Sequence, residues 1–409
     1  MARRNIVVGL DIGTTKITAL VGEVGTNGQV YIIGVGETPS RGLRKGAIVN
    51  IDETVRSIDL AIEKAERMSG VEINDVFVGV AGPNISSINN QGVIAITGPN
   101  REILVDDVQR VLRNVRMVGL PAERKIIHVI PRQFIVDGYD GVRDPVGMAG
   151  VRLEVEAHII TGSTTYLQNV YKIIQSTGLK LLNLMVSPIA AAEAVLYSSE
   201  KQLGSILVDI GGGTTDVTLY DGGSPWLTFA LPIGGDHITC DLAVGLRTTL
   251  VEAERIKQEN GCVLVQLAPE HELISVAAVG GNGINQVSRK KIASIIQPRV
   301  QEIFALIREE VEKSGYRGIL PGGCVLTGGS VLIDGMVELT QEELQLPVRL
   351  GYPEGIGGLA EVVRSPQYST VVGLVLQAAR NYREDLVPEG DPLLGGIWGR
   401  IRSWWREMA

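Results

Sequence analysis

The sequence predicts an α/β protein of two duplicated lobes, with a cleft between them and an α+β subdomain inserted into the first lobe. Three observations lead there. Strand and helix patterns alternate along most of the chain, an aspartate-led Gly/Thr hairpin occurs twice, and the stretch from Pro83 to about Gly162 replaces the alternation with consecutive strands.

The elements follow in order. Ile6 to Leu10, Ile17 to Gly22 and Val30 to Gly36 are apolar runs separated by Gly/Thr and Asn/Gly turns, which predicts a strand meander. Val55, Ile58, Ala61, Ile62 and Ala65 fall at helical spacing within Thr54 to Met68, and Val76 to Val80 has the composition of a buried strand. In the insertion the pattern gives a strand over Ser86 to Thr97, a helix over Val105 to Val118, and strands over Ile126 to Val136 and Val151 to Thr161. Helices are expected over Thr164 to Thr177 and Pro188 to Tyr197, with a strand over Leu179 to Val186 between them. A second lobe opens at Ser205. Its strand Ile206 to Ile210 runs into Gly211-Gly212-Gly213-Thr214-Thr215-Asp216 and a strand over Val217 to Tyr220, copying Val7 to Ile12 and Gly13-Thr14-Thr15-Lys16. Thr327-Gly328-Gly329-Ser330 forms a third glycine-rich turn after a strand, and Val371 to Ala379 is a final apolar helix.

Bulk composition narrows the function. The 409 residues, 44% hydrophobic and 21% charged, can bury a large core, and the formal charge of −8 argues against a nucleic-acid binder. Cys240, Cys262 and Cys324 have no paired spacing, which fits thiols in a reducing compartment such as the cytoplasm. His128, His158, His237 and His271 share no metal-ligand spacing. The start resembles a signal peptide, but Asp11 interrupts the apolar run and no small-residue cleavage site follows. No stretch approaches the ~18 uncharged residues of a spanning helix.

The duplicated hairpins carry the chemistry. Glycine lets consecutive backbone N–H groups converge on one point, and such a concavity binds anions; threonine hydroxyls add donors. An aspartate beside a phosphate site makes sense when a cation lies between them. Two such loops facing across a cleft would clamp a polyphosphate, with Asp11 and Asp209 holding Mg²⁺ through its water shell. A single copy is equally well a tight hairpin turn; two strand-bounded copies followed by a third Gly-Gly-Ser turn favour the site.

These loops resemble the phosphate and adenosine motifs of the superfamily of actin, sugar kinases and chaperone ATPases, with its ribonuclease H-like duplicated lobes. Within it the chain resembles the FtsA family of bacterial cell-division proteins, in Gly9-Leu10-Asp11-Ile12-Gly13-Thr14-Thr15-Lys16, in Asp209 to Asp216 and in Gly234-Gly235-Asp236-His237-Ile238-Thr239. The resemblance implies ATP as ligand. It assigns Gly13, Thr14, Thr15 and Lys16 with Gly211, Gly212, Gly213, Thr214 and Thr215 to the phosphates, and includes Gly234 and Gly235 in the site. Gly328, Gly329 and Ser330 would lie along the adenosine, and Glu254 and Lys257 would touch ribose and base. Chaperone-type relatives carry an acid before the Pro-x-Ala-Ala-Ala helix to orient the hydrolytic water. Here Ser187 stands there, a poor general base, so at most weak ATPase activity is expected. Glu193, farther along that helix, is expected on a solvated face.

The implied organisation is a first-lobe core (1A) of 1–83, 163–203 and 367–381, with an inserted subdomain (1C) of 84–162. The second-lobe core (2A) takes 204–236 and 299–366, and its small subdomain (2B) takes 237–298. A flexible linker of 382–393 and an amphipathic helix of 394–409 complete the chain. The resemblance further implies filament formation, the C-terminal tail of FtsZ as partner at 2B, later division proteins as partners of 1C, and residence at the septum on the cytoplasmic face of the membrane. The superfamily also contains sugar or acid kinases and the pilus and shape proteins PilM and MreB, which stand as alternatives.

The last segment supports membrane binding from its own residues. Placed on a helix at ~100° per residue, Leu394, Ile397, Trp398, Ile401, Trp404, Trp405 and Met408 share an arc of ~120°. Arg400, Arg402 and Arg406 flank it, each worth ~1 kcal/mol beside anionic lipid, while the tryptophans favour the headgroup boundary. The acidic, proline-containing stretch Arg383 to Pro392 would detach this foot from the body. One such helix binds only marginally, so several copies on a filament would act together.

Overall fold

The computed structural model describes residues 5–280 and 283–386. The chain opens with β1 (Ile6–Ile12), β2 (Lys16–Val24) and β3 (Val30–Pro39), then a small hairpin of β4 (Leu43–Arg44) and β5 (Ala47–Ile48). Helix α1 (Ile51–Ser69) is fixed at both ends: the Asn50 side chain accepts from the Glu53 N–H, and Gly70 closes it in the left-handed conformation. Ile58, Ala61 and Ala65 on its inner face are fully buried, as their spacing predicts. Strand β6 (Asp75–Val80) follows. The insertion holds β7 (Ile85–Ala95), α2 (Val105–Val115), β8 (Arg124–Val136), β9 (Tyr139–Val142) and β10 (Arg152–Ser163). The first lobe resumes with α3 (Thr164–Ser176), β11 (Lys180–Val186), α4 (Ser187–Val195) and α5 (Ser198–Leu203).

The second lobe contributes β12 (Ser205–Ile210), β13 (Thr215–Asp221), β14 (Ser224–Leu231), α6 (Gly235–Leu246) and α7 (Leu250–Asn260). It continues through β15 (Leu273–Ala277), β16 (Ile284–Ser288), α8 (Arg289–Lys313), β17 (Cys324–Thr327), α9 (Met336–Leu344) and β18 (Val348–Leu350). Short β19 (Ile356–Gly358) and α10 (Ser369–Leu386) return to the first lobe.

Duplication is explicit in the sheets. The first orders its strands β11-β6-β1-β2-β3-β19, and the second runs β18-β17-β12-β13-β14 before continuing into β7-β10-β8-β9 of the insertion. Each lobe thus has an antiparallel meander whose first strand pairs in parallel with a later crossover strand. The hairpins match in register too: Asp11 faces Thr18 and Asp209 faces Asp216. Helices α4 and α10 pack between the sheets, where Ala191, Ala192, Val371 and Val375 join Val7 and Leu20 of one lobe to Leu207 and Val325 of the other. These side chains remove apolar surface from water on both sides, each fully buried Val or Leu contributing ~1.5–3 kcal/mol.

Two predicted borders and the linker differ from the structure. The border at 298/299 falls inside the single helix α8, which carries Pro298 within it, and the one at 236/237 falls in the first turn of α6. Helix α10 runs to Leu386, so the first residues of the predicted linker 382–393 continue a helix in which Asn381 is still buried. The rest of the linker and the predicted membrane residues Ile397, Trp398, Arg400, Ile401, Arg402, Trp404, Trp405 and Arg406 lie outside the described residues. Among the described residues no helix is long and apolar enough to cross a membrane.

Candidate functional site: a cleft between matched hairpins

The two Gly/Thr hairpins meet. A Cβ on Gly212 would overlap the Thr15 side chain, and one on Gly213 would lie 2.5 Å from Thr14 Cγ2, so only glycine permits this approach. Around the meeting point is a cavity of about 550 Å³. Its walls include Asp11, Gly13, Thr14, Thr15 and Lys16 from the first lobe and Asp209, Gly211, Gly212, Gly213 and Thr214 from the second. Glu254, Lys257, Gly328, Gly329 and Ser330 line the same space.

Three predicted residues stand behind the wall. Thr215 is fully buried and its hydroxyl donates to the Ile233 carbonyl at 2.8 Å, so its side chain is committed to the sheet rather than to the cavity. Gly234 and Gly235 lie outside the lining and brace it: the Gly235 N–H donates to Gly211 O at 2.9 Å, and the Asp236 N–H to Gly212 O at 2.8 Å. This stitches the start of α6 beneath the second hairpin.

The floor of the cleft is acidic. Burial first, then Asp216 and Asp11, push the Asp209 carboxyl up to about 8, although the Thr370 hydroxyl donates to it at 3.2 Å. Burial lifts Asp11 to about 6 against the pull of Lys16. Asp216, likewise raised by burial to about 6, accepts from the Gly82 N–H at 3.0 Å and from the Thr214 hydroxyl at 2.9 Å. Lys16 offsets part of this charge at Asp11, but it is shared: its ammonium pairs with Glu37 at 2.8 Å and lies 3.9 Å from the centre of the Tyr368 ring. A site with converging buried carboxylates, a cradle of hydroxyls and glycine N–H groups, and its two lining lysines already paired with Glu37 and Glu254 suits a metal-bound polyanion. Among the described residues no group of three or more His, Cys, Asp or Glu is spaced to ligate a metal directly.

At the other end of the cavity Lys257 is buried, donates to Thr239 Oγ1 at 2.9 Å and Gly235 O at 3.2 Å, and pairs with Glu254 at 2.7 Å. Burial works to raise the Glu254 carboxyl, yet Lys257 and its other donors hold it below the usual range. Arg255, one residue away, turns outward to Glu252 and Glu259. The Ser330 hydroxyl donates to Gly211 O at 3.0 Å, tying the third glycine turn to the second hairpin.

Ser187 reaches the cleft at the start of α4, buried, its hydroxyl without a hydrogen-bond partner. Glu193 does not occupy a solvated face. Its carboxylate accepts from Lys201 at 2.9 Å and from Arg380, and these cations hold it ionised despite burial. Several lining residues have no role in the sequence reading, among them Glu37, Tyr166, Asp236 and Thr370, and the most consequential is Asp216. The signal was available in the hairpin, since a strand partner directly across from Asp209 shares its face of the sheet.

A family model described as Cell division protein FtsA matches residues 206–373, and one described as SHS2 domain inserted in FTSA matches residues 82–161. The chain is 44% identical over 371 residues to Cell division protein FtsA of Pseudomonas aeruginosa, covering 91% of this chain and 88% of that protein. With the Bacillus subtilis protein of the same description it shares 44% over 383 residues, 94% of this chain and 86% of that one. Among solved structures, a PilM-PilN type IV pilus biogenesis complex aligns with a TM-score of 0.66 at 18% identity over 91% of this chain and 98% of that one. MreB5 of Spiroplasma citri bound to ADP aligns with a TM-score of 0.54 at 15% identity, over 90% of this chain and 94% of that one. The structural neighbours establish the fold, an actin-like ATPase fold carrying an inserted SHS2 domain, as the fold class read from the sequence has it. From the extent and identity of the sequence matches, the chain belongs to the FtsA family of cell-division proteins.

Proposed function

We propose that this cell-division protein binds ATP with Mg²⁺ between its hairpins and uses nucleotide to govern its assembly into filaments on the cytoplasmic membrane at the septum. The observation that carries the reading is the junction of Thr14 and Thr15 with Gly212 and Gly213 above three buried carboxylates. Glycine N–H groups and threonine hydroxyls would hold phosphate oxygens, and Asp11 and Asp209, with Asp216 beside them, would hold the ion's water shell. Bound Mg²⁺ would neutralise charge that the fold keeps buried at a cost. Lys257 and Glu254 would take the nucleoside end, and Ser187 leaves hydrolysis weak, since a hydroxyl is a poor base for an attacking water. Nucleotide then acts mainly by binding one lobe arrangement better than another.

Attachment follows from the C-terminal foot, 394–409, with its Trp/Arg pattern, and partner binding follows from the family: the FtsZ tail at subdomain 2B and later division proteins at the insertion. Co-sedimentation with anionic vesicles tests this. The full chain should pellet, more so with Mg-ATP, and a chain ending at Asp391 should stay in solution. Unchanged pelleting of the truncated chain would remove the anchor. A phosphate-transfer screen against small hydroxyl and carboxyl acceptors separates this reading from a kinase of the same superfamily, which would yield a phosphorylated product.

A further inference from the structure

The inserted subdomain is fastened to the two lobes by different means. It leaves the first lobe at Gly82 and returns at Ser163, and the neck is tied by the Ser163 N–H donating to Asn84 O at 3.1 Å. Arg124 reinforces it, donating to Thr161 O at 2.9 Å and Asn84 O at 3.3 Å. Ile160, with Ile127 and Ile130, packs into the apolar core of the first lobe. Such burial does not exchange with water cheaply.

Toward the second lobe the joint is polar. One backbone register pair, Phe229 with Ser86, brings β7 alongside β14, and beyond it side chains replace the ladder. The Ser87 hydroxyl donates to Thr228 O at 2.7 Å and accepts from the Thr228 N–H at 2.8 Å. Asn89 donates its amide N–H to Trp226 O at 2.9 Å. The His158 ring, fully buried on β10, bridges Asn89 Oδ1 at 2.8 Å and Thr228 Oγ1 at 3.0 Å. Every one of these bonds has a water-satisfied alternative if the surfaces part, whereas a backbone ladder or an apolar core would have to be broken outright. At the root of the insertion, the Gly82 N–H is held by the Asp216 carboxylate, which faces the cleft.

We propose that the seam between Ser87, Asn89 and His158 of the insertion and Trp226 to Thr228 of the second lobe is a latch that couples the cleft to the inserted subdomain. Rotation of the second lobe moves β14 relative to the neck, so the seam opens or closes with the cleft, and Asp216 gives the cleft a second grip on the insertion at Gly82. The latch rests on the proposed nucleotide site for what drives it, though not for its existence. Coupling is reciprocal: whatever the seam does to nucleotide affinity, nucleotide does to the seam.

The test uses the full chain with exposed Cys240 changed to Ser, and spin labels at Met117→Cys in the insertion and Glu342→Cys on α9. Double electron–electron resonance reports their distance distribution, and calorimetry on the same samples reports Mg-ATP binding. We expect Ser87→Ala with Asn89→Ala to broaden the distribution without nucleotide and to change the Mg-ATP Kd by about fivefold or more. Should that pair fail to fold, a Ser86→Cys, Phe229→Cys staple replaces it. Oxidised before labelling, it should hold one narrow distance with or without Mg-ATP and shift the Kd relative to the labelled chain without the staple. An unchanged distribution and Kd in folded variants would overturn the latch. A wild-type chain that binds no Mg-ATP would instead overturn the nucleotide site, and the distribution widths would still decide the latch.

Discussion

Replacing Asp209 by Asn should make the free protein more stable while removing its response to nucleotide. The carboxyl is held at about 8 against an ordinary value of 3.8, by burial and then by Asp216 and Asp11. A carboxyl raised in the folded state contributes stability that is full below the unfolded value and lost as pH rises through the folded one. At pH 7 the gap between pH and the unfolded value amounts to ~4 kcal/mol of lost stability relative to a group that never ionises. The amide of Asp209→Asn has nearly the same shape and can still accept from Thr370. With an unfolding entropy of ~2 cal/mol/K per residue over 409 residues, ~4 kcal/mol corresponds to a rise in Tm of at most ~5 °C. Mg-ATP at ~100 times its Kd should stabilise the wild type by ~2.7 kcal/mol and leave the variant unmoved. Scanning calorimetry between pH 4 and pH 8 reads both effects, and the variant's advantage should grow with pH. A variant less stable than wild type when free, or one that keeps its nucleotide shift, would refute the reasoning.

Three further outcomes are expected. Ser187→Ala removes a buried hydroxyl with no partner, so denaturant titration of the free protein should show ~1 kcal/mol more stability. Gly373→Ala puts a Cβ onto the Ala190 carbonyl where α10 crosses α4, and thermal unfolding should reveal a loss of ~1–3 kcal/mol. Burial, with Arg132 and His128 adding to it, holds the His158 ring down at about 3, so it stays neutral in the folded protein. That contribution is present above the unfolded value of 6.5 and fades as pH falls toward 3; a His158→Gln variant should show a shallower loss of stability over that window.

Most of the fold was legible because local pattern and tertiary role agree there. The hairpins at Asp11 and Asp209, the apolar face of α1 and the buried strand β6 each follow from spacing that burial then satisfies. Strand β14 has no clear sequence signal because Pro225 and the Gly222-Gly223 turn give it the look of a loop, and one of its partner strands, β7, comes from the distant insertion. Glu193 was misplaced for a related reason: its partners Lys201 and Arg380 come from separate helices, and no helical period points to them. Thr215 belongs to a phosphate motif by sequence, yet side chains alternate along β13, and its own points into the core while Asp216 faces the cleft. That the sheet of the insertion continues the second lobe rather than the first is a matter of strand register across distant segments, which periodicity does not encode.

The most direct measurement is a structure of the full chain with Mg²⁺ and a non-hydrolysable ATP analogue. The proposed site predicts phosphates between Thr14 to Lys16 and Gly211 to Thr214, with the ion beside Asp11 and Asp209. Nucleotide seated anywhere else, such as the cavity of about 670 Å³ lined by Arg132 and Lys201, would contradict it.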